Sequence, residues 1–385
     1  MLKALLKALE TRQGRILLIL IAEGIILRFL AATQGMTVDF DSYRIVAEII
    51  NSGGSLYTET TRYNYGPVWG YVVAGMDLLA SSPAVFRVML VTLFNAADLV
   101  IAEWLRRRYG LRVFALFWFN PLTILGAGFF MQFDLLVIAV TLLLFQFKDR
   151  NELLFGLALG VSFMLKHVFI FLPVWLVFAG KMSLRSALLS YAVFAAGFIP
   201  FAQQYEGILR NVFGYSANSS GAQALFVPHV ISWFVPPLII MVLIMTGAGW
   251  LLRKRSTEEL LIWYPVLLVL ASPSVLHTYL ILPALAIAVY PGILSAAYTA
   301  ITAWLFTLDG LGVGWSFFIN TAPDFMRATK AHGGEYTLPL ILLAAMTAAW
   351  LWGVRIRTYL AQAAKYVRNE TRLQWKQLHD YSDTR

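Results

Sequence analysis

The chain has 385 residues, of which 59% are hydrophobic and only 13% charged, with a mean hydropathy of +0.70. Soluble globular proteins carry roughly 25% charged residues, so this composition excludes a soluble domain and predicts an integral membrane protein. The net charge of +9 does not indicate a nucleic-acid partner, because the basic residues flank apolar segments, as in cytoplasmic loops. The absence of cysteine excludes disulfides and thiolate metal sites.

The two ends of the chain differ from its middle. Residues 1–15 have leucines at helical spacing and two lysines four apart, which predicts a short helix on the bilayer surface. The next segment contains Glu23 and Arg28, so it is a transmembrane helix rather than a cleavable signal. Residues 354–385 predict a basic amphipathic cytoplasmic tail. Residues 16–353 are therefore expected to form one transmembrane domain surrounded by membrane lipids.

Apolar segments recur along this domain and predict an all-α polytopic fold with about 11 to 13 transmembrane helices. They lie at residues 16–32, 84–105, 113–130, 134–147, 152–166, 168–180, 186–201, 228–252, 259–272, 279–292, 294–308 and 337–353. Placing the basic loops inside puts both termini in the cytoplasm. We expect the protein in a prokaryotic plasma membrane or in the endoplasmic reticulum.

Four segments are short for a membrane crossing. Residues 66–80 would rise only about 22 Å as a helix, against a hydrocarbon core of about 30 Å, and are predicted to be partial or re-entrant. Residues 134–147, 152–166 and 168–180 are equally short. Polar helix ends at membrane depth are tolerated only where protein or a water-filled cavity covers them. The sequence thus predicts an outer-leaflet cavity with an active site on the non-cytoplasmic face.

Polar residues that suit chemistry cluster at this face. The first outer loop, residues 33–83, carries Asp39 and Asp41, and the ends of the short segments carry Gln132, Asp134, Lys166, His167, His277 and Tyr279. Carboxylates, a lysine and histidines at one face are typical of glycosyl or phosphoryl transfer, in which a base activates a hydroxyl and cations stabilise a departing phosphate. No metal is expected, because Asp-x-Asp alone lacks the further ligands of a hard-cation site.

Each candidate also has a structural interpretation. Asp39 and Asp41 fit solvated loop charges, with Asp41 capping a helix from Ser42 to Asn51. Lys166 fits a side chain that extends to the interface, and His277 fits a hydrogen-bonded interfacial histidine. Gln132 and Asp134 fit packing and capping groups at a turn. The aromatic residues of the first outer loop are typical of an interfacial belt, namely Tyr57, Tyr63, Tyr65, Trp69 and Tyr71.

Four motifs occur in a characteristic order. They are Asp39-Phe-Asp-Ser-Tyr43, Gly54-Ser-Leu-Tyr57, Tyr63-Asn-Tyr-Gly-Pro67 and Trp118-Phe-Asn-Pro121, followed by Asp134 and Lys166. Together they resemble the motifs of GT-C glycosyltransferases that use polyprenyl-phosphate sugars. The likeness is to the catalytic subunit of the first mannosyltransferase of GPI-anchor synthesis and its prokaryotic relatives.

The resemblance implies a GT-C fold and an inverting transfer of a sugar, most simply mannose, from a polyprenyl- or dolichyl-phosphate donor to a lipid-linked or glycan acceptor. It implies that Asp39 is the base and that Asp41 has a supporting role. Lys166, His277 and Arg28 would hold the phosphate. The other substrate-binding candidates are Tyr43, Tyr65, Gln132, Asp134, His167 and Tyr279.

Two other classes of function stay open. A transporter or flippase of a lipid-linked sugar also has many crossings and membrane-depth charges, and an inactive GT-C-like subunit would keep the fold without the chemistry. The acidic pair lies in an outer loop and no second half mirrors the short segments, which favours the enzyme. Beyond the sugar donor no cofactor is expected. A divalent metal and a small membrane partner subunit stay open alternatives.

Overall fold

The computed structural model describes residues 11–35, 37–215, 227, 231, 234–309 and 336–351, and these residues form helices without a strand. The principal helices, in chain order, are α1 (Arg12–Ala32), α2 (Val38–Asn51), α3 (Pro67–Leu79), α4 (Pro83–Tyr109), α5 (Leu111–Trp118), α6 (Pro121–Gly128), α7 (Asp134–Lys148), α8 (Glu152–Phe163), α9 (Leu172–Phe178), α10 (Leu184–Ala196), α11 (Pro237–Leu251), α12 (Thr257–Ala271), α13 (Ala284–Val289), α14 (Ile293–Asp309) and α15 (Thr337–Leu351). The all-α prediction is confirmed. The predicted tail and residues 1–10 of the surface helix lie outside the described residues.

The helices coincide with the predicted apolar segments, but few have the length of a full crossing. By length and composition α4 qualifies with 27 residues, and two bent pairs would raise the number to three among the described residues. The bent pairs are α5 with α6, and α10 with the segment Ile199–Phe213. The helices α7 and α8 have 15 and 12 residues, as their predicted shortness requires.

The apolar run over residues 113–130 is two helices rather than one. Proline has no N–H to donate, so the Asn120-Pro121 pair ends one helix and begins the next. The Asn120 side chain accepts a hydrogen bond of 2.9 Å from the backbone N–H of Leu122 and caps α6. The two helices meet at an angle of 50°.

Small residues bring α8 and α10 into backbone contact. Gly156 and Gly160 lie one turn apart on α8 and face the backbone of Ser186 and Ser190 on α10. A Cβ on Gly156 would lie 2.5 Å from the Ser186 carbonyl oxygen, and one on Gly160 would overlap the Ser190 carbonyl. This small-xxx-small pairing is how membrane helices approach closely without a hydrophobic driving force. It fixes the position of α8, and Lys166 lies three residues after the end of this helix at Phe163.

The chain after α10 forms three short helical pieces rather than an irregular loop. A 3-10 helix (Ile199–Gln204), one α-turn (Tyr205–Ile208) and a π-helix (Leu209–Phe213) follow α10. Gln204 accepts a hydrogen bond from the Tyr57 N–H at 2.8 Å, and Asn211 donates to the Tyr57 and Thr60 carbonyls at 3.1 Å each. Gly207 packs directly on the Tyr57 carbonyl. This segment, the Tyr57 clasp, holds the first outer loop in place.

The close α8–α10 contact leads to a first prediction. Replacing Gly160 by valine should lower the free energy of unfolding by about 1–3 kcal/mol, because the side chain must displace a backbone carbonyl. Thermal unfolding of the purified protein in detergent measures the effect. Gly75→Val is the matched control, since Gly75 is also helical and has nothing within 4 Å of its Cβ position. Equal stability of the two variants would contradict the contact.

Candidate functional site

The acidic pair lies in the first turn of α2. Thr37 is the N-cap residue, and Asp39 and Asp41 follow within the turn, where the helix dipole favours negative charge. The expectation that Asp41 caps a helix starting at Ser42 is wrong, because the helix begins at Val38. Asp41 is exposed, whereas Asp39 is half-buried and faces the turn before α7.

The turn before α7 positions the Asp39 carboxylate. The Gln132 amide donates a hydrogen bond to Asp39 Oδ2, and the Gln132 N–H donates to the Gly126 carbonyl at 2.9 Å. Met131 has a φ of 54°, in the left-handed region that costs a non-glycine residue about 1–2 kcal/mol. The Tyr43 hydroxyl donates to the Met131 carbonyl at 3.1 Å and stabilises this conformation. The turn therefore fixes the orientation of Asp39.

Lys166 and Asp134 form a buried ion pair. Lys166 follows α8, Asp134 is the first residue of α7, and their side chains are 5% and 0% exposed. The Lys166 Nζ lies 2.8 Å from Oδ1 and 2.9 Å from Oδ2 of Asp134. The sequence prediction placed both residues at the ends of short helices, and the structure brings them together. Lys166 does not extend away to an interface.

Aromatic rings surround the ammonium group. The Lys166 Nζ lies 4.8 Å from the Phe133 ring centroid, 5.3 Å from Tyr65 and 5.5 Å from Tyr279, within the range of cation–π attraction. Trp69 stacks on Phe133, with 4.2 Å between the ring centroids. The interpretation of the loop aromatics as an interfacial belt is wrong for the buried Tyr57, Tyr63 and Trp69, which form a core under the site.

A cavity of about 220 Å³ adjoins the ammonium group. One part of its wall is polar and includes Asn64, Tyr65, Lys166, His167, Tyr215 and Tyr279. Other wall residues are apolar and include Leu238 and Met241 of α11 and Leu268 and Val269 of α12. The cavity thus combines the polar and apolar wall residues that a ligand with a charged head and an apolar tail would need.

The carboxylates influence the tyrosines beside them. Burial raises the pKa of Tyr43 well above its usual value, and the neighbouring Asp39 and Asp134 carboxylates raise it further. Burial also raises the pKa of Tyr65, with Tyr43 and Asp39 contributing. Burial and then Asp39 raise the pKa of Tyr215 on the cavity wall. These tyrosines therefore stay neutral hydrogen-bond donors at physiological pH.

Arg28 does not join this cluster. It lies on α1 and is fully buried against α4, where it forms an ion pair of 3.0 Å with Asp98. Its other N–H groups donate to the Gly24 and Trp118 carbonyls and to the Thr123 hydroxyl, each at 3.1 Å. With every direction of the guanidinium occupied by protein, Arg28 has a structural role, and the structure gives no support to its expected contact with a phosphate.

The other expected residues divide as follows. His167 and Tyr279 line the cavity, whereas His277 begins a 3-10 helix (His277–Ile281) and its side chain lies outside what the structure describes. Sequence reasoning missed Tyr215, which lies in no motif, and Asn64, which lies inside the Tyr63-Asn-Tyr-Gly-Pro67 motif but was not singled out. No group of three or more potential metal ligands occurs among the described residues.

Comparison with known proteins gives few matches. No protein-family model and no curated protein sequence matches the chain. Among solved structures, the chain is similar to ArnT from Cupriavidus metallidurans bound to undecaprenyl phosphate. The sequences are 15% identical, the TM-score is 0.49, and the alignment covers 88% of this chain and 78% of ArnT. At this level of similarity the comparison assigns neither a residue role nor an activity.

The buried Arg28–Asp98 pair leads to a second prediction. Arg28→Met should lower the free energy of unfolding by about 3–5 kcal/mol, because it leaves the Asp98 carboxylate buried without its cation. The double variant Arg28→Met with Asp98→Leu should recover much of this loss. Unfolding of the wild type, both single variants and the double variant measures the coupling. Additive effects would contradict a structural ion pair.

Proposed function

We propose that the protein is a membrane glycosyltransferase of the GT-C type that transfers a sugar from a polyprenyl-phosphate donor. The observation that carries the proposal is the buried Lys166 ammonium on the wall of a cavity with polar and apolar lining, together with the Asp39 carboxylate that Gln132 orients. The motif order around Asp39 and Lys166 supports the same class of enzyme. The motifs also favour mannose as the sugar and a lipid-linked or glycan acceptor, transferred on the non-cytoplasmic face.

In the proposed reaction, Asp39 acts as the general base. Its carboxylate takes the proton of an acceptor hydroxyl while the hydroxyl oxygen forms a bond to the anomeric carbon of the sugar. The bond from that carbon to the phosphate oxygen breaks, and the electron pair leaves with the polyprenyl phosphate. One displacement inverts the anomeric centre, and no covalent sugar–enzyme intermediate is needed. Gln132 holds Asp39 in the orientation that this step requires.

Lys166 stabilises the phosphate as it leaves. An ammonium group with low exposure acts strongly on developing charge, because little water screens it. Asp134 occupies part of its hydrogen-bonding capacity and fixes its position, while the aromatic rings limit its movement. The apolar wall from α11 and α12 suits the first isoprene units of the donor. Tyr65, Tyr215 and Tyr279 offer hydroxyl groups to the sugar or phosphate.

A third prediction tests the base. Asp39→Asn should reduce sugar transfer by about 10²–10⁴-fold, the usual contribution of a general base, while donor binding is unchanged. Purified protein is incubated with a panel of polyprenyl-phosphate sugars and lipid extract, and new glycolipid is measured by mass spectrometry. Glu48→Gln is the matched control, because Glu48 is an exposed carboxylate at the other end of the same helix. Wild-type activity in Asp39→Asn would exclude the base role.

A fourth prediction tests the cation. Lys166→Met should lower turnover by about 10²–10³-fold through lost transition-state stabilisation, and it should also lower stability by leaving Asp134 unpaired. The double variant Lys166→Met with Asp134→Leu separates the two effects, since it should regain stability and stay inactive. Transfer activity in the double variant would contradict the role of Lys166.

The same preparations distinguish the carrier alternative. In proteoliposomes, a flippase moves a lipid-linked sugar across the bilayer without forming a glycosidic bond, and the enzyme forms the bond. Movement of the donor with no new glycolipid for any sugar tested would favour the carrier over the proposed enzyme.

A further inference from the structure

A second cavity lies at the opposite end of α7 from the candidate functional site. Asp134 is the first residue of this 15-residue helix and Lys148 is the last, so the two ends are about 21 Å apart. The cavity has a volume of about 270 Å³ and lies where α4 and α7 end and α12 begins. It shares no wall residue with the cavity beside Lys166. It is therefore a separate site that the proposed transfer reaction does not use.

Two cations on the wall of this second cavity have hydrogen-bond donors to spare. The Arg108 Nε donates to Glu258 Oε1 at 2.6 Å, and the guanidinium carbon lies 4.3 Å from the Trp104 ring centroid. Among the described residues, neither Nη group of Arg108 has an acceptor. The Lys148 side chain is only 14% exposed, and within the same part of the chain its ammonium group pairs with Asp149 alone, at 3.2 Å. A guanidinium has five N–H donors and an ammonium three, so most of them are available to a ligand.

The start of α12 adds a third group that suits an anion. Thr257 and Glu258 are the first two residues of this helix, and both line the cavity. The first N–H groups of a helix have no acceptor inside it, and the helix dipole favours negative charge at that end. Of the two carboxylates on the wall, Glu258 is bound to Arg108, and the Asp149 side chain is 93% exposed to water. An anion in the cavity would thus meet donors from three different helices.

The remaining wall residues and the location of the cavity indicate which anion fits. Leu142, Phe145 and Leu261 also line the cavity, and a small inorganic anion has no use for such apolar contacts. The basic residues at these helix ends belong to the loops that the sequence places at the cytoplasmic membrane surface. Pockets with basic side chains between membrane helices on that side bind the headgroups of phospholipids. A phosphate that is joined to acyl chains matches both kinds of wall residue.

We propose that the second cavity binds the phosphate group of an anionic phospholipid from the cytoplasmic leaflet. Arg108, Lys148 and the first turn of α12 donate hydrogen bonds to the phosphate oxygens. The bound lipid stabilises the ends of α4, α7 and α12 against one another. The proposal takes the basic loops as cytoplasmic, as the sequence predicts, and it is independent of the proposed transfer reaction.

Native mass spectrometry of the purified, delipidated protein tests the choice of ligand. Phosphatidylglycerol is titrated beside two probes, diacylglycerol, which lacks the phosphate, and inorganic phosphate, which lacks the acyl chains. We expect saturable binding of phosphatidylglycerol and much weaker binding of either probe. The proposal is overturned if diacylglycerol binds as tightly as phosphatidylglycerol, or if inorganic phosphate alone does.

Substitutions of Lys148 test the location of the site. Lys148→Met should lower the affinity for phosphatidylglycerol roughly tenfold, as expected for the loss of one hydrogen bond to a charged group. Lys148→Arg should retain the affinity, because it keeps the charge and the donors. Lys254→Met is the matched control, since Lys254 is an exposed lysine in the loop before α12 and does not line the cavity.

Thermal unfolding without added lipid verifies that each variant is folded. Should Lys148→Met not fold, Lys148→Gln gives the same comparison, because it keeps a polar end without the charge. Equal affinities of the neutral Lys148 variant and Lys254→Met for phosphatidylglycerol would contradict a site at this cavity.

Discussion

The buried ion pair between Lys166 and Asp134 is the interaction on which the arrangement of the site depends. A charge buried this deeply is tolerated only with a partner at hydrogen-bonding distance. The start of α7, which carries Asp134, must therefore lie beside the segment after α8, which carries Lys166. The glycine contact between α8 and α10 holds that position, because it leaves no freedom for α8 to slide. The Lys166–Asp134 ion pair thus depends on α7 and α8 being short. The cavity is the space that remains beyond the ends of these two helices.

Aromatic residues surround the Lys166–Asp134 ion pair. Phe133 contacts both Trp69 and Lys166, so one ring connects the first outer loop to the ammonium group. Tyr43 and Trp69 pack edge to face at 5.3 Å, and Tyr43 also supports the turn that carries Gln132. Asp39 and Lys166 belong to different elements of the chain, yet both are set by contacts with this one aromatic core. A rigid core of this kind preserves the distance between Asp39 and Lys166.

The sequence was informative where the signal is local. The short helices and their polar ends follow from segment length and residue type, and in the structure Asp134 is the first residue of α7 and Lys166 follows α8. The break at Asn120-Pro121 was recognisable in the same way but was read as a family motif inside one helix. Contacts between residues far apart in the sequence could not be predicted. Arg28 and Asp98 are 70 residues apart in unremarkable apolar helices, and no spacing tells which carboxylate a cation will meet. The helical Tyr57 clasp was missed because its bonds to the first outer loop are tertiary.

The Tyr57 clasp has a mechanical consequence. The segment that binds Tyr57 through Gln204 and Asn211 continues directly to Tyr215 on the cavity wall. On the other side, the Tyr57 hydroxyl donates to the Tyr65 carbonyl at 3.2 Å. Tyr215 and Tyr65 are therefore both connected to Tyr57. A ligand that displaces one of these side chains outward must strain the hydrogen bonds that hold the other. Ligand binding in the cavity and the position of the first outer loop are thus coupled through Tyr57.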